Sequence, residues 1–395
     1  MNSSRFIQIH FLTSYPASLI NRDDVGFAKR IPFGPAVRTR ISSQCLKRHW
    51  RTSDSEYALS SLVKDNMSVR SRLTFEHYIC KPLVKEGVSE RTARAVTSEL
   101  MTKVLGMSEA RRARAPKNDS GADPEIESAQ VTVIGKPELD FLLEEARAVC
   151  KEVSDHPEKA GEAVKKRFDR ERLENLKALK MGSGLDAAMF GRMVTSDVLA
   201  RCDAAIHVAH AFTVHREAVE SDYFSAVDDL LRDGDYTQLA SGHINTAELT
   251  SGLFYGYVVI DVPLLTGNLG GDRELAAQVA DRMVRLIATV SPAAKLGSTA
   301  AHSYAHLMLA EAGKSQPRTL ANAFLTPVRE QPDLLANCYR ALGTHLAEFD
   351  SAYGRNERRF LAIGPAAELG GSFPEADRVS SLDALARWVS ARIGE

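Results

Sequence analysis

The spacing of hydrophobic and polar residues changes character several times along this chain. "RFIQIHFLT" (5–13) sets Phe6, Ile7, Ile9 and Phe11 among polar and β-branched neighbours and predicts a central strand. "SYPASLINRDDVGF" (14–27) has the composition of a loop. "AVRTRIS" (36–42) is short and extended, with Arg38 and Arg40 on one side and Thr39 and Ile41 on the other. Ser42 or Ser43 then caps a helix. Its buried face is Leu46 and Trp50, four residues apart, and Gln44, Lys47, Arg48 and Arg51 crowd the opposite face.

From about Ser55 to Lys180 the period is helical, rich in Ala, Glu, Lys, Arg and Leu. "RRARAPKNDSGADPE" (111–125) interrupts it as a loop, and "AVKKRFDRERLENLKALK" (163–180) predicts one charged helix with Phe168, Leu173 and Leu176 as its apolar stripe. Strand patterns return in "AAIHVAHAFTVH" (204–215) and "SGLFYGYVVIDVPLL" (251–265). The polar, Gly-punctuated segment between them (216–249) predicts a protrusion. "GGDRELAAQVADRMVRLIATV" (270–290) is an amphipathic helix capped by Asp272. "SYAHLMLAEA" (303–312) fits a strand or a helix, "RRFLAIGP" (358–365) a strand, and "SLDALARWVSARIGE" (381–395) a capped terminal helix. The sum is an α+β fold: a sheet with helices on one face, split by a helical insertion.

Composition narrows the partners. With 395 residues and 44% hydrophobic content the chain can bury a core of its own, in two or so domains. No segment approaches the roughly 18 uninterrupted apolar residues of a membrane helix, and the N-terminus lacks a signal-peptide core. Five scattered cysteines without a CxxC pair argue against a disulfide frame or structural zinc, so a cytoplasmic protein is expected. The net charge of −1 conceals an asymmetry. Residues 1–51 hold nine Lys and Arg against two Asp, +7, which leaves −8 for the remainder. Such asymmetry points to an anionic partner.

The stretch "VRTRISSQCLKRHWR" (37–51) has the means to hold phosphate: a helix N-terminus, cations on its first turns, and neutral donors in Ser and Gln. None of these reads a base edge. The alternative is a basic face turned to solvent. His207, His210 and His215 invite a metal, but 207 and 210 fall on opposite faces of a strand. "TGNLGGDRE" (266–274) lacks both phosphate-loop patterns and predicts a tight turn before a helix. The Asp pairs in "NRDD" (21–24) and "VDD" (227–229) suit caps or local ion pairs, with a divalent metal as the alternative. The methionine of "GRMVTS" (191–196) is either core or an apolar wedge between bases.

In this order the motifs resemble the CasC family, the backbone subunits of type I-E CRISPR Cascade complexes. The resemblance is carried by "IQIHFLTSYPASLINRDD", "RISSQCLKRHWR", "GRMVTS", "HAFTVHREAVESDYFSAVDDL", "SGLFYGYVVID", "NLGG", "PAAKLGSTAAH" and "LANAF". It is loose over 55–180 and in the C-terminal fifth. It implies a modified RRM-like (ferredoxin-like) palm formed by 1–55, 181–215 and 251–395, helical fingers at 56–180 and a thumb hairpin at 216–250. Copies would stack head to tail along CRISPR RNA, beside other Cascade subunits and target DNA. Lys29, Ser42, Gln44, Lys47, Arg48 and Arg51 match positions that grip the guide's sugar-phosphate backbone. Arg22, Arg38 and Arg40 join them as RNA-binding candidates. Met193 and Phe224 match apolar residues flanking a kinked nucleotide. Lys165, Lys166, Arg167 and Arg170 are the candidates for target DNA. Pro35, Ala36 and Val37 stand where some relatives carry basic residues. No cofactor, metal or catalytic residue is implied. The rival readings are a metal-dependent RNA endonuclease of the type III backbone kind, with Asp23 or Asp24 as its acid, and a generic single-strand RNA-binding protein.

Overall fold

The computed structural model describes residues 4–64, 66–106, 125–154, 156–179, 181–192, 198–227, 241–292, 294, 296–363, 377–379 and 381–394. Two units emerge. One comprises Met1–Leu59, His207–Val262 and Ala276–Glu395, the other Ser60–Ile206 and Pro263–Leu275.

The first unit is built around β1 (Phe6–Ser18), whose first eight residues are all buried. The strand runs on through the "SYPAS" expected to be loop, with a register shift between Tyr15 and Ser18. The other strands are β2 (Arg30–Phe33), β3 (Ala36–Ile41), β4 (Ser68–Ser71) and β5 (Thr132–Gly135) in the second unit, β6 (Ile206–Val208), β7 (Ala211–Thr213), β8 (Ala218–Val227), β9 (Ser241–Asp261), β10 (Leu307–Gly313), β11 (Arg358–Ile363) and β12 (Asp377–Val379). Among the described residues the large sheet has the order β12-β11-β10-β1-β9-β7-β3-β2. β9 and β10 flank β1 antiparallel, and β8 and β9 form a long hairpin in the region expected to protrude. "SYAHLMLAEA" is therefore a strand. "AAIHVAHAFTVH" is two short strands rather than one, and the break holds His210.

The sheet is covered on both faces, not one. Leu12, Leu309 and Leu361 pack with Tyr339, Leu342 and Leu346 of the helix Leu334–Tyr353, which hydrophobic spacing had not singled out. Strand alternation turns Phe360 to the other side. There it stacks on Trp388 of the helix Leu382–Gly394, with centroids 5.2 Å apart. The helix Arg273–Thr289 is present, and Asp272 accepts from the Leu275 amide as expected.

In the second unit β4 and β5 pair antiparallel beside the helices Glu90–Leu105, Lys136–Val153, Ala160–Arg167 and Arg170–Lys177. Phe75, Val96, Leu100, Leu142, Val149 and Phe168 form its core. The single helix expected over 163–180 is thus two. Phe168 is buried where the first ends, and the Asp169 carboxylate accepts from the Arg172 amide to start the second. Arg192, whose side chain is fully buried, donates to both oxygens of Glu138 and to the Ala200 carbonyl.

Two buried charges organise the first unit. Glu311 on β10 accepts from Arg359 (2.7 Å), from both terminal nitrogens of Arg318 (2.6 and 3.1 Å) and from His10 (3.2 Å). Burial alone would raise the Glu311 carboxyl, but the hydrogen bonds of His10 and Arg318 and the Arg318 charge carry it well below the usual carboxylate range. The second is Arg38, described below with the strand it holds. Burial pushes His10, His215 and His306 down from their ordinary value near 6.5.

Two outcomes follow from these interiors. The unfolded chain takes up protons at those histidines near pH 6.5, whereas the folded chain resists until lower pH. The urea midpoint should therefore fall between about pH 7.5 and about pH 5.5, and it should fall further as Glu311 is titrated below its unfolded value. A midpoint that rises on acidification would contradict this. Arg38→Met, which strips the donors from three buried carbonyls, should cost about 3 kcal/mol or more in chemical denaturation.

Candidate nucleic-acid interface

The site begins in a loop that folds on its own carboxylate. Asp23 Oδ1 accepts from the amides of Val25 (3.1 Å) and Phe27 (2.8 Å), and the Asp23 amide donates to the Phe27 carbonyl (2.8 Å). The Lys29 amide then donates to the Asn21 carbonyl (2.9 Å), while Asn21 Oδ1 accepts from the Ser42 amide (2.9 Å). One asparagine thus ties the loop to the start of the basic helix. The Asp23 oxygen is engaged as a turn-maker, and no cluster of three or more metal-ligating side chains occurs among the described residues.

β2 and β3 form a hairpin turning at Gly34 and Pro35. Gly34 has φ +61°, and a Cβ there would lie 1.9 Å from the Leu325 carbonyl oxygen, so only glycine fits. β3 departs from expectation. Arg38 is fully buried instead of facing a ligand beside Arg40. Its Nη1 donates to the carbonyls of Thr213 (2.9 Å) and His215 (3.1 Å), and its Nη2 to that of Phe324 (2.8 Å). Arg38 is therefore removed from the set of candidate RNA ligands. Burial and the nearby Arg216 push its pKa down.

Ser42 alone separates β3 from α1 (Ser43–Thr52). Its hydroxyl accepts from the Cys45 amide (3.3 Å), the N-cap that serine chemistry predicts, and the residue is buried. Leu46 and Trp50 are buried as expected, at 3% and 1% exposure. Gln44 and Arg48 are exposed, and Lys47 and Arg51 are half-buried beside them.

The fate of the cations separates this region from the rest of the surface. Arg30 is paired with Glu217 (2.6 Å) and Glu248. Arg22, Lys29, Arg40 and Arg48 have no carboxylate within ion-pair distance among the described residues. Lys29, Arg30 and Arg40 line an open cavity of about 600 Å³ with Asp23, Asp24 and Ala28. Lys29 and Arg48 both act on the Cys45 thiol, which burial nonetheless raises. Arg40 and Lys29 both act on His210. These pairings bring residues 29, 40, 45, 48 and 210 into one electrostatic neighbourhood.

Other candidates lie apart. Met193, Asp228 and Asp229 are outside the described residues. Phe224 stands opposite Asn245 in the β8–β9 hairpin. In the second unit Arg167 is held with Arg172 on Glu145, Lys166 pairs with Glu152 (3.4 Å) and Arg170 with Glu174 (2.9 Å). Lys165 is exposed and unpaired among the described residues. His215 is structural: its Nδ1 donates to the Arg216 carbonyl (2.6 Å) and its Nε2 accepts from the Leu253 amide (3.2 Å). His210 escaped the sequence reading as a partner of Arg40, because the two lie 170 positions apart.

Comparison with known proteins bears on this arrangement. No curated protein matches the chain. A solved structure described as "CRISPR RNA-guided surveillance complex, pre-nicking" is similar at 26% identity with a TM-score of 0.79, covering 98% of this chain and all of the other. Another, "CRISPR RNA-guided surveillance complex", shares the fold at 22% identity and a TM-score of 0.70, covering 98% and 99%. The family model described as CT1975-like protein matches residues 7–388. The chain therefore belongs to the CT1975-like protein family, Cas_CT1975.

Proposed function

We propose that this chain is a non-catalytic, CRISPR RNA-binding backbone subunit of a type I-E-like Cascade complex. The observation that carries the reading is the set of unpaired cations at Arg22, Lys29, Arg40 and Arg48, delivered by consecutive elements of a Cas_CT1975 fold. The surveillance-complex title of the 26% identical structure supports the same reading. Gln44, Lys47 and Arg51 lie beside Arg48 on α1. These groups are donors and point charges suited to phosphate and ribose, and nothing among them reads a base edge. Such a grip accepts any guide sequence and leaves the bases free to pair. In this reading the sheet serves as an RRM-like palm, and copies stack head to tail along the guide, a heterologous arrangement that makes a filament instead of a closed dimer. Met193 and Phe224 act as apolar wedges that kink the guide at intervals. Lys165 meets target DNA with Lys166 and Arg170, which are exposed although ion-paired, whereas Arg167 is half-buried against Glu145.

Co-expression with a CRISPR array and the partner subunits should yield a nuclease-sensitive RNA in assemblies whose length follows the guide. Single copies without RNA would sink the reading. Lys47→Ala with Arg48→Ala should weaken binding of every single-stranded RNA alike and flatten the slope of log K against log salt by roughly 0.7 for each phosphate the chain no longer neutralises. Weakening confined to one sequence would argue for base readout.

A further inference from the structure

We infer that His210 is a further anion-binding residue of this interface, set beside Arg40 and Lys29 to take a phosphate oxygen of single-stranded RNA and to gain a proton as it does so. The inference rests on the RNA-binding reading above and adds a residue and a proton to it.

The geometry fixes the imidazole's roles. His210 is exposed in the break between β6 and β7. Its Nδ1 lies 3.0 Å from Arg40 Nη1. A guanidinium carries only donors, so Nδ1 accepts and the ring hydrogen sits on Nε2. That Nε2–H has no partner among the described residues. Arg40 is held at a second point, because its Nε donates to the Arg30 carbonyl (3.2 Å). The two side chains therefore form a fixed pair, of which Arg40 lines the same cavity as Lys29. The backbone beneath is anchored too, since the Ala209 amide donates to the Tyr257 carbonyl (2.9 Å).

The charges acting on His210 are Arg40 from β3 and Lys29 from the segment before β2, and Asp23 and Asp24 line the cavity that those two cations share. Burial first, then Arg40 and Lys29, push the imidazole below its ordinary value and keep it neutral while the site is free. An arriving phosphate reverses the balance, because an opposite charge within reach raises a histidine pKa by about 1–3 units. A proton then enters from solvent onto Nδ1. That nitrogen becomes a donor, its bond from Arg40 cannot persist, and both the imidazolium and the released guanidinium N–H turn to the anion. His215 offers no such site, since both of its nitrogens are already engaged.

The sign follows from linkage. The bound-state pKa exceeds the free-state pKa, so affinity gains appear as pH falls through the bound value and are complete below the free one. The test is fluorescence anisotropy of a labelled, mixed-sequence single-stranded RNA with the full-length chain at constant ionic strength, with folding verified by circular dichroism at each pH. Wild-type affinity should rise from about pH 8 to about pH 6, by at most about tenfold for a rise of about one unit on binding. His210→Gln should bind more weakly than wild type at the lower pH and show no rise, and His210→Asn should agree. Lys47→Ala with Arg48→Ala should bind weakly at both values yet keep the rise. A rise that survives both His210 substitutions overturns the inference while leaving the RNA-binding reading intact. A wild-type chain that binds no RNA at either pH overturns both.

Discussion

Arg38 brings a positive charge into a place that offers it no carboxylate among the described residues. What it finds are three carbonyl oxygens, one at the end of β7, one two residues beyond it and one on the Ala321–Phe324 turn. Three backbone dipoles converging on one planar guanidinium tie β3 to two segments far away in sequence. β3 passes into α1 through a single residue, so the direction of the basic helix is inherited from this buried cation. Gly34 reinforces the attachment, because the hairpin turn sits too close to the Leu325 carbonyl for any side chain. Phe33, against Phe212 at 4.9 Å and below the Arg38 guanidinium at 5.9 Å, fills the remaining space. The surface cations of the patch depend on a cation buried beneath it.

The chain sorts its charges by this logic throughout. Arg318 and Arg359 surround Glu311, Arg192 is matched to Glu138, and Arg167 and Arg172 share Glu145. A buried charge without a partner is expensive, so these arginines are each set against a carboxylate. At the interface the opposite holds. Lys29 and Arg30 are adjacent, yet Arg30 is closed by Glu217 and Glu248 while Lys29 stays open to the cavity. Cations without a carboxylate partner gain no ion pair on folding and repel one another. Their accumulation on one patch is understandable when an anion is to displace water and counterions there.

That patch is held by rigid supports. Asn21 fastens the loop to the helix start, Ser42 caps the helix, and Leu46 and Trp50 seat it. Ser42 contributes by cap geometry, since its oxygen already serves Cys45. The side chains left over differ in kind: an ammonium, guanidinia, an amide and an imidazole. Such a mixture suits a chain of phosphates and riboses better than a single small anion.

Much of this was legible one-dimensionally. The strand at β1, the capped basic helix with its Leu46–Trp50 face and the helix capped by Asp272 rest on periodicities and caps that act within a few residues. So does the +7 concentration in the first 51 positions. Other features were not legible, for identifiable reasons. Periodicity ran straight through Phe168 and Asp169, where a buried ring and a carboxylate cap divide one helix into two. Alternation on β3 assigned Arg38 and Arg40 to the same fate, and only the carbonyls of Thr213, His215 and Phe324 separated them. His210 looked like one of three strand histidines until the break at Ala209 set it against Arg40. The sequence by itself determined where cations are concentrated and which elements carry them, because helix and strand spacing and capping are local. Tertiary structure alone decided which of those cations are buried, which are paired and which remain open, because a charge's solvation depends on partners hundreds of residues away along the chain.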